Sequence, residues 1–514
     1  MDPALTPRQM GAADQRAIAA GTPGAVLMGR AGRAVARAVR TELGGTYGRR
    51  VTIVCGPGNN GGDGHVAAGA LASWGARVDV FTLGDTFDRD RCARSLARAD
   101  ALVDALFGTG LRAPLDGDAA WFARETATFD GARVAVDVPS GVAGLTGRVL
   151  GADSAGDAID AAGVAVRADR TVCFAAYKPG LLFTPGSTHA GTVDVVDIGI
   201  DVTLPAGEPS TGVTTGDDVA AWLPVRAPDA QKWSAGGLLV IGGSQGMTGA
   251  PLMVSHAAMR TGAGIVWCAL PGAQTAASAS GGEVITTGVP ATPSGSLATE
   301  AVAPLLELAT RFAAVVIGPG LGRDPDTATA VRQLVAELSV PIVLDADGLN
   351  ALAGDVAPLR TRAGTGAATI LTPHGGEYAR LARHPVGDDR LAAARGLAAH
   401  SESVVLLKGP GAVIAEPTGR AVIDPTGGPW LATAGSGDVL SGMIGALVAA
   451  RLDPFEAGAA GAWLHGRAAD VAGHTGLVAG DLITALPEVL AGFTAPAGRG
   501  ADAADPYHSP AQEA

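Results

Sequence analysis

Five residues, Ala434-Gly435-Ser436-Gly437-Asp438, stand where irregular backbone gives way to the apolar run Val439 to Ala450. Two glycines let the backbone take φ > 0 and come close to a ligand, and the run after them predicts a buried helix. The first turn of such a helix leaves N–H groups unsatisfied, so it can stabilise a negatively charged phosphoryl group. Asp438 beside that turn can accept the proton of a hydroxyl as it attacks phosphorus. The same residues also suit an ordinary helix N-terminus with an acid favourable to its dipole, and the stretch alone leaves both readings open.

The elements that would position this stretch are a series of buried runs: Leu238 to Ile241, Ile265 to Leu270, Ala314 to Ile317, Ile342 to Asp345, Ala368 to Leu371 and Val404 to Leu407. Helix-like segments such as 251–260, 327–338 and 435–450 lie between them, which predicts a parallel sheet. Turns rich in Gly follow the strands: Gly242 to Gly246, Gly318 to Gly322, Asp345 to Asn350, Thr372 to Glu377 and Lys408 to Gly411. Thr372-Pro373 forces extended backbone and would present the His374 ring at a strand end, and Lys408 is placed for a nucleotide phosphate.

The first half repeats this architecture with other motifs. Strands are expected at Val51 to Cys55, Val78 to Leu83, Ala101 to Leu106, Val134 to Val138 and Thr171 to Ala175, with helices over 64–74 and 88–99 and two more within 8–40. Loops at the carboxyl ends of such strands carry ligands. Here they are Gly56-Pro-Gly-Asn-Asn-Gly-Gly-Asp-Gly64, able to cradle a phosphate but unlike GxGxxG or the Walker pattern, then Asp104 to Pro114, and Asp137-Val-Pro-Ser-Gly141. Together they bring Asn59, Asn60, Asp63, Asp104, Asp137 and Ser140 to one sheet edge. From Asp201 to Asp218 periodicity lapses and Pro, Gly, Thr and Asp accumulate, marking an interdomain linker.

With 514 residues the chain exceeds a single core, and 47% hydrophobic against 17% charged residues describes a globular protein. A balance of 37 basic and 50 acidic residues, net −13, argues against nucleic acid or an anionic membrane as partner. Cys55, Cys92, Cys173 and Cys268 lack CxxC spacing and read as core thiols in a reducing compartment. No basic n-region precedes an apolar stretch and no long uncharged apolar run occurs, so a soluble, cytoplasmic protein is expected.

NNGGDG, DALFGTG and DVPSG in this order resemble the YjeF N-terminal domain, the NAD(P)H-hydrate epimerase. That resemblance implies a potassium site at Asn60, Asp104 and Ser140, and hydrate binding at Asn59, Asn60, Gly61, Gly62, Asp63, Gly108, Thr109, Gly110, Leu111, Arg112, Ala113, Pro114 and Asp137. GxxxGMTGA, GPGLG, DADGLN, TPHxxE and GSGD resemble the ADP/ATP-dependent NAD(P)H-hydrate dehydratase of the ribokinase-like superfamily. Carried over by position, Ala250, Gly322, His374 and Asp438 contact the hydrate, and Lys408, Gly409, Pro410, Gly411, Ala412 and Gly437 the nucleotide. Departures from that family's pattern are Ser436 for Thr, Gly375 for Pro and Ala412 for Thr.

The two resemblances imply two α/β domains, a Rossmann-like three-layer sandwich over 1–212 and a ribokinase-like one over 213–495, with a disordered tail over 496–514. They imply a fused cofactor-repair enzyme, an isomerase and lyase. Hydrated nicotinamide carries a hydroxyl on C6 beside the ring nitrogen, and its loss gives an iminium that water attacks from either face. Asp137 is expected as the acid/base group for that exchange. In the second domain Asp438 would deprotonate the C6 hydroxyl for phosphorylation by ADP, with ATP as the alternative donor and Mg²⁺ spreading the charge, after which phosphate leaves. A homo-oligomer is expected. Rival readings are a vitamin or sugar kinase with an accessory domain, against which the TPHxxE loop argues, and a first domain that only binds.

Overall fold

The structure, a computed structural model, describes residues 1–152, 163–272 and 282–494. The expected tail over 496–514 lies outside them. The chain divides into two compact units, one over residues 2–208 and one beginning at Pro209. Strand Thr211–Val213 (β7) and the start of a helix Gly216–Trp222, begun by a Thr215 capping box, fall inside the stretch read as a linker. A strand of three residues is too short for periodicity to reveal.

Among the described residues the first unit carries a sheet of six parallel strands: Arg50–Cys55 (β1), Arg77–Thr82 (β2), Ala101–Ala105 (β3), Ala132–Val136 (β4), Arg170–Phe174 (β5) and Thr192–Val196 (β6). Their order is β2-β1-β3-β4-β5-β6. Ile53 and Cys55 pack on one face with Met10 and Ala13 of helix Pro7–Ala19 (α1), Val35 and Val39 of Gly24–Glu42 (α2), and Ala67 and Leu71 of Asn59–Ser73 (α3). Val54 packs on the other with Cys92 and Leu96 of Arg89–Leu96 (α4) and Phe122 of Gly117–Thr126 (α5). Three layers result, because strands covered on both faces must be apolar on both. The edge strand β6 was not legible in the sequence: its residues are exposed or half-buried throughout, so no apolar run announces it.

Helix α3 begins at Asn59, five residues before its expected start, and so includes the NNGGDG motif. A Cβ on Gly61 would stand 1.9 Å from the Gly56 carbonyl oxygen. The glycines here let the helix lie against the strand ends, which propensity alone would not favour. These glycines therefore have a packing role as well as a place at the start of the helix.

The second unit's sheet runs β7-β16-β15-β14-β13-β12-β11-β8-β9-β10. Beyond β7 it contains Gly237–Ile241 (β8), Ile265–Pro271 (β9), Ile285–Val289 (β10), Ala314–Ile317 (β11), Ile342–Leu344 (β12), Thr369–Leu371 (β13), Val404–Leu407 (β14), Ala412–Ala415 (β15) and Ala421–Asp424 (β16). Strands β8 to β14 are parallel, whereas β14-β15 and β15-β16 are antiparallel. Leu238 and Val240 face helices Gly249–Thr261 (α6), Ser436–Ala449 (α8) and Pro454–Ala472 (α9), while the alternate Leu239 and Ile241 are also fully buried. In each sheet the strand order reverses beside the first long strand, at β1/β3 and at β8/β11, the place where open α/β sheets bind ligands.

Candidate active sites

In the first unit Asp104 lies on the central strand β3, paired with Val54 and Ala135, and is 0% exposed. Its Oδ1 accepts from Ser140 Oγ at 2.7 Å and from the Leu106 N–H at 3.2 Å; Oδ2 accepts from the Ser140 N–H at 2.8 Å. Burial pushes its carboxyl up to about 6, with those hydrogen bonds opposing. Asn60, buried in the first turn of α3, donates Nδ2 to the Val136 carbonyl at 3.1 Å. A Cβ on Gly108 would stand 3.0 Å from both Asn60 Oδ1 and Asp137 Oδ2, so these three are neighbours.

Asp137 follows β4 with φ 66°, a conformation non-glycine residues adopt at a cost of about 1–3 kcal/mol. Its Oδ1 meets Lys178 Nζ at 2.6 Å. Lys178 is 1% exposed and also donates to the Phe174 carbonyl at 2.8 Å. Burial disfavours its charge, but Asp137 and Cys173 together raise its pKa above the ordinary value. Burial, then the charges of Asp137 and Asp14, push Asp63 up to about 8, and Asp14 itself is raised by burial.

The structure therefore gathers Asn60, Asp63, Gly108, Asp137, Asp104 and Ser140. Thr109 lies against Gly144, while Gly110, Arg112, Ala113 and Pro114 are exposed farther along the loop. Lys178 and Asp14 escaped the sequence reading. Lys178-Pro179-Gly180 follows β5 as the other loops follow their strands, and that signal was available; Asp14 sits on α1 without a motif.

In the second unit Gly435 caps α8 with φ 89°, and Ser436, Gly437 and Asp438 form its first turn. Lys408, at the end of β14, points there: a Cβ on Gly437 would be 3.2 Å from its Nζ. That ammonium pairs with Asp345 Oδ1 at 2.7 Å, and Ser441 Oγ donates to Asp345 Oδ2 at 2.5 Å. Burial resists ionisation of Asp345, yet Lys408 and the hydroxyl bonds hold its pKa below the usual value. Burial and then Asp345 push Asp438 up to about 6, with Lys408 opposing. His465, buried, has its pKa pushed down to about 4 by burial and sets Nε2 3.0 Å from the Ser436 carbonyl oxygen.

His374 caps helix Gly375–Ala382 (α7), accepting from the Gly376 N–H at 3.0 Å through Nδ1, with Glu377 closing the capping box. Burial, Lys408 and Arg380 lower its pKa. Ala250 is the second residue of α6, and Gly322 is held through its N–H by Asp347 Oδ2 at 2.9 Å. The loops carrying them are tied by Gly243 N–H to Pro319 O at 2.8 Å and Ser244 Oγ to Gly320 O at 2.9 Å. Gly409, Pro410 and Gly411 form the turn of the β14-β15 hairpin and Ala412 opens β15. Asp345, Ser441 and His465 were not assigned to the site from the sequence, since their bonds cross 96 and 29 residues.

Residues 238–490 match the family described as NAD(P)H-hydrate dehydratase, and 24–99 and 87–180 match the YjeF-related protein N-terminus. The chain is 40% identical over 543 residues to a bifunctional NAD(P)H-hydrate repair enzyme of Salinibacter ruber, covering 95% of this chain and 96% of the relative. The chain belongs to the bifunctional NAD(P)H-hydrate repair enzymes. A repair enzyme of Moorella thermoacetica is 39% identical over 508 residues, covering 91% and 92%. The crystal structure of the Bacillus subtilis ADP/ATP-dependent NAD(P)H-hydrate dehydratase, co-crystallised with ATP/Mg²⁺, aligns with 55% of this chain and 98% of its own at 30% identity and TM-score 0.47. As in the repair enzymes as a group, epimerase and dehydratase domains share one chain. Among the described residues, no helix is long and apolar enough to cross a membrane.

Proposed function

We propose that the first unit interconverts the R and S hydrates of NADH or NADPH and that the second dehydrates the S form at the expense of a nucleotide. One observation carries the second half: Asp438 sits in the first turn of α8 beside the Lys408 ammonium. With a pKa of about 6, Asp438 is mostly ionised at neutral pH and can take the C6 hydroxyl proton as that oxygen attacks the terminal phosphorus. The α8 amides and Lys408 receive the transferring phosphoryl group. The leaving nucleotide is AMP when ADP is the donor. The C6–O bond then breaks toward phosphate with the ring nitrogen lone pair assisting, and loss of the C5 proton restores the dihydropyridine.

In the first unit, hydroxide loss and water return at C6 need one proton donor and one acceptor. Asp137, fixed by Lys178, is assigned the acceptor role, and Asp63, protonated at neutral pH, stands in the same cluster. Asn60 Oδ1, Asp104 and Ser140 Oγ are hard oxygen donors around a fully buried carboxylate, a set that fits K⁺. Bound there, K⁺ would neutralise Asp104. The second unit offers no comparable resident Mg²⁺ site: among the described residues no three His, Cys, Asp or Glu cluster, and Asp345 is engaged by Lys408 and Ser441. Mg²⁺ is assigned to the nucleotide phosphates it would enter with. Four unpaired, buried cysteines suit a reducing compartment such as the cytoplasm.

The test is to incubate separated S and R hydrates with the protein, with and without ADP or ATP, and follow the absorbance of reduced cofactor. Recovery from S with nucleotide, and from R only while epimerisation is intact, is expected. Recovery without nucleotide would refute the phosphorylation step.

A further inference from the structure

A cavity of ≈ 180 Å³ in the second unit is lined by Gly322, Arg323, Asp347, Asn350 and Arg380, among others. We infer that it is an anion subsite that takes a phosphate group of the hydrated dinucleotide through Arg323 and Arg380. This rests on the dehydratase reading above.

Its one carboxylate is already engaged. Asp347 Oδ2 accepts from the Gly322 N–H at 2.9 Å and Oδ1 from Asn350 Nδ2 at 3.1 Å. Asn350 Oδ1 in turn accepts from Arg380 Nε at 2.7 Å, which orients the guanidinium and leaves its terminal nitrogens for a ligand. Arg323 is exposed and makes no hydrogen bond or ion pair among the described residues. Each planar guanidinium can give paired N–H bonds to two oxygens of a phosphate, and the two positive charges outnumber the single carboxylate, whose oxygens are already turned to the Gly322 N–H and Asn350. A larger cavity of ≈ 380 Å³ is lined by Glu300, Asp324 and Asp326, which would repel the same group.

Continuity with the reacting centre comes from α7. His374 at its cap stands between the two: the Lys408 N–H donates to the carbonyl of the adjoining Pro373 at 2.9 Å, and a Cβ on Gly376 would lie 2.9 Å from the His374 ring and 3.8 Å from Arg380 Nη1. A dinucleotide whose ring lies at Asp438 carries its phosphates away from C6, and either the pyrophosphate bridge or the 2′-phosphate can serve as the group the arginines take.

The experiment measures kcat and KM of the full-length protein and its Arg323→Ala, Arg380→Ala and Arg380→Lys variants, with S-NADHX and S-NADPHX at saturating ADP, and with ADP varied. Loss of a charged hydrogen bond predicts a fall in kcat/KM for the hydrate of about tenfold or more per alanine variant, carried by KM, with partial retention in Arg380→Lys. Equal losses for both hydrates assign the pyrophosphate; a loss confined to S-NADPHX assigns the 2′-phosphate. Unchanged KM for both hydrates, or a rise confined to the KM of ADP, overturns the proposal. A wild-type protein inactive on either S-hydrate would instead fail at the dehydratase reading itself.

Discussion

The first unit gathers several acids near one buried lysine: Asp63, pushed up to about 8 by burial, holds its proton at neutral pH, Asp14 is raised by burial, and Asp137 pairs with the lysine. The second unit aims its half-buried lysine at a helix N-terminus, lowers the pKa of the partner Asp345, and leaves Asp438 at about 6. Both place a lysine–aspartate pair at the ends of parallel strands, at 2.6 and 2.7 Å. The contrast lies in what surrounds the pair. Epimerisation moves a proton and a water with no net change, so one acid that holds its proton and one that accepts it suffice; phosphoryl transfer brings in a multiply charged anion and needs amides and an ammonium to meet it.

The sharpest way to break this comparison is Asp438→Asn. Loss of the general base should cut dehydration about a thousandfold or more while epimer exchange continues at the wild-type rate; parallel loss of both activities would mean the two sites are not separate. Lys408→Met leaves Asp345 buried without its cation, and such a change costs about 3–5 kcal/mol. Denaturant unfolding of the second unit should show it, together with loss of dehydration. Next comes Asp137→Asn, expected to slow epimer exchange about a hundredfold with dehydration of pure S hydrate untouched.

The pH profiles separate the units with a smaller effect. Asp438 must be deprotonated to act as base, so dehydration should rise with pH through about 6 and level off above it. Asp63 donates only while protonated, so epimerisation should fall as pH rises through about 8, and Asp63→Asn, whose amide cannot give up a proton, should slow exchange and lose that limb. The mildest change is Ser436→Thr. Ser436 is buried with Oγ 3.2 Å from His465 Nε2, so the added methyl should cost about 1 kcal/mol and leave turnover nearly unchanged.

Much of this was legible before any coordinates. The interior parallel strands of both units announced themselves as apolar runs because both faces are covered, and the loops after them carried the motifs. The half-exposed edge strands β6 and β10 and the three-residue β7 did not announce themselves, because an edge has one face to satisfy and a short strand shows no period. The start of α3 was missed because Asn59 to Gly64 are poor helix formers, held helical by contacts with β1 and β3.

What the sequence alone determined is the two-part architecture and the identity of the carboxylates at the strand ends, since motif order and strand periodicity are both local along the chain. Only the tertiary structure decided which charge meets which: that Lys178 neutralises Asp137, that Lys408 faces the first turn of α8 by way of Asp345, and that Arg323 and Arg380 share one cavity. Those partners are 41, 63 and 57 residues apart, and a charge finds its partner, or loses its water, only when the sheet brings distant loops together.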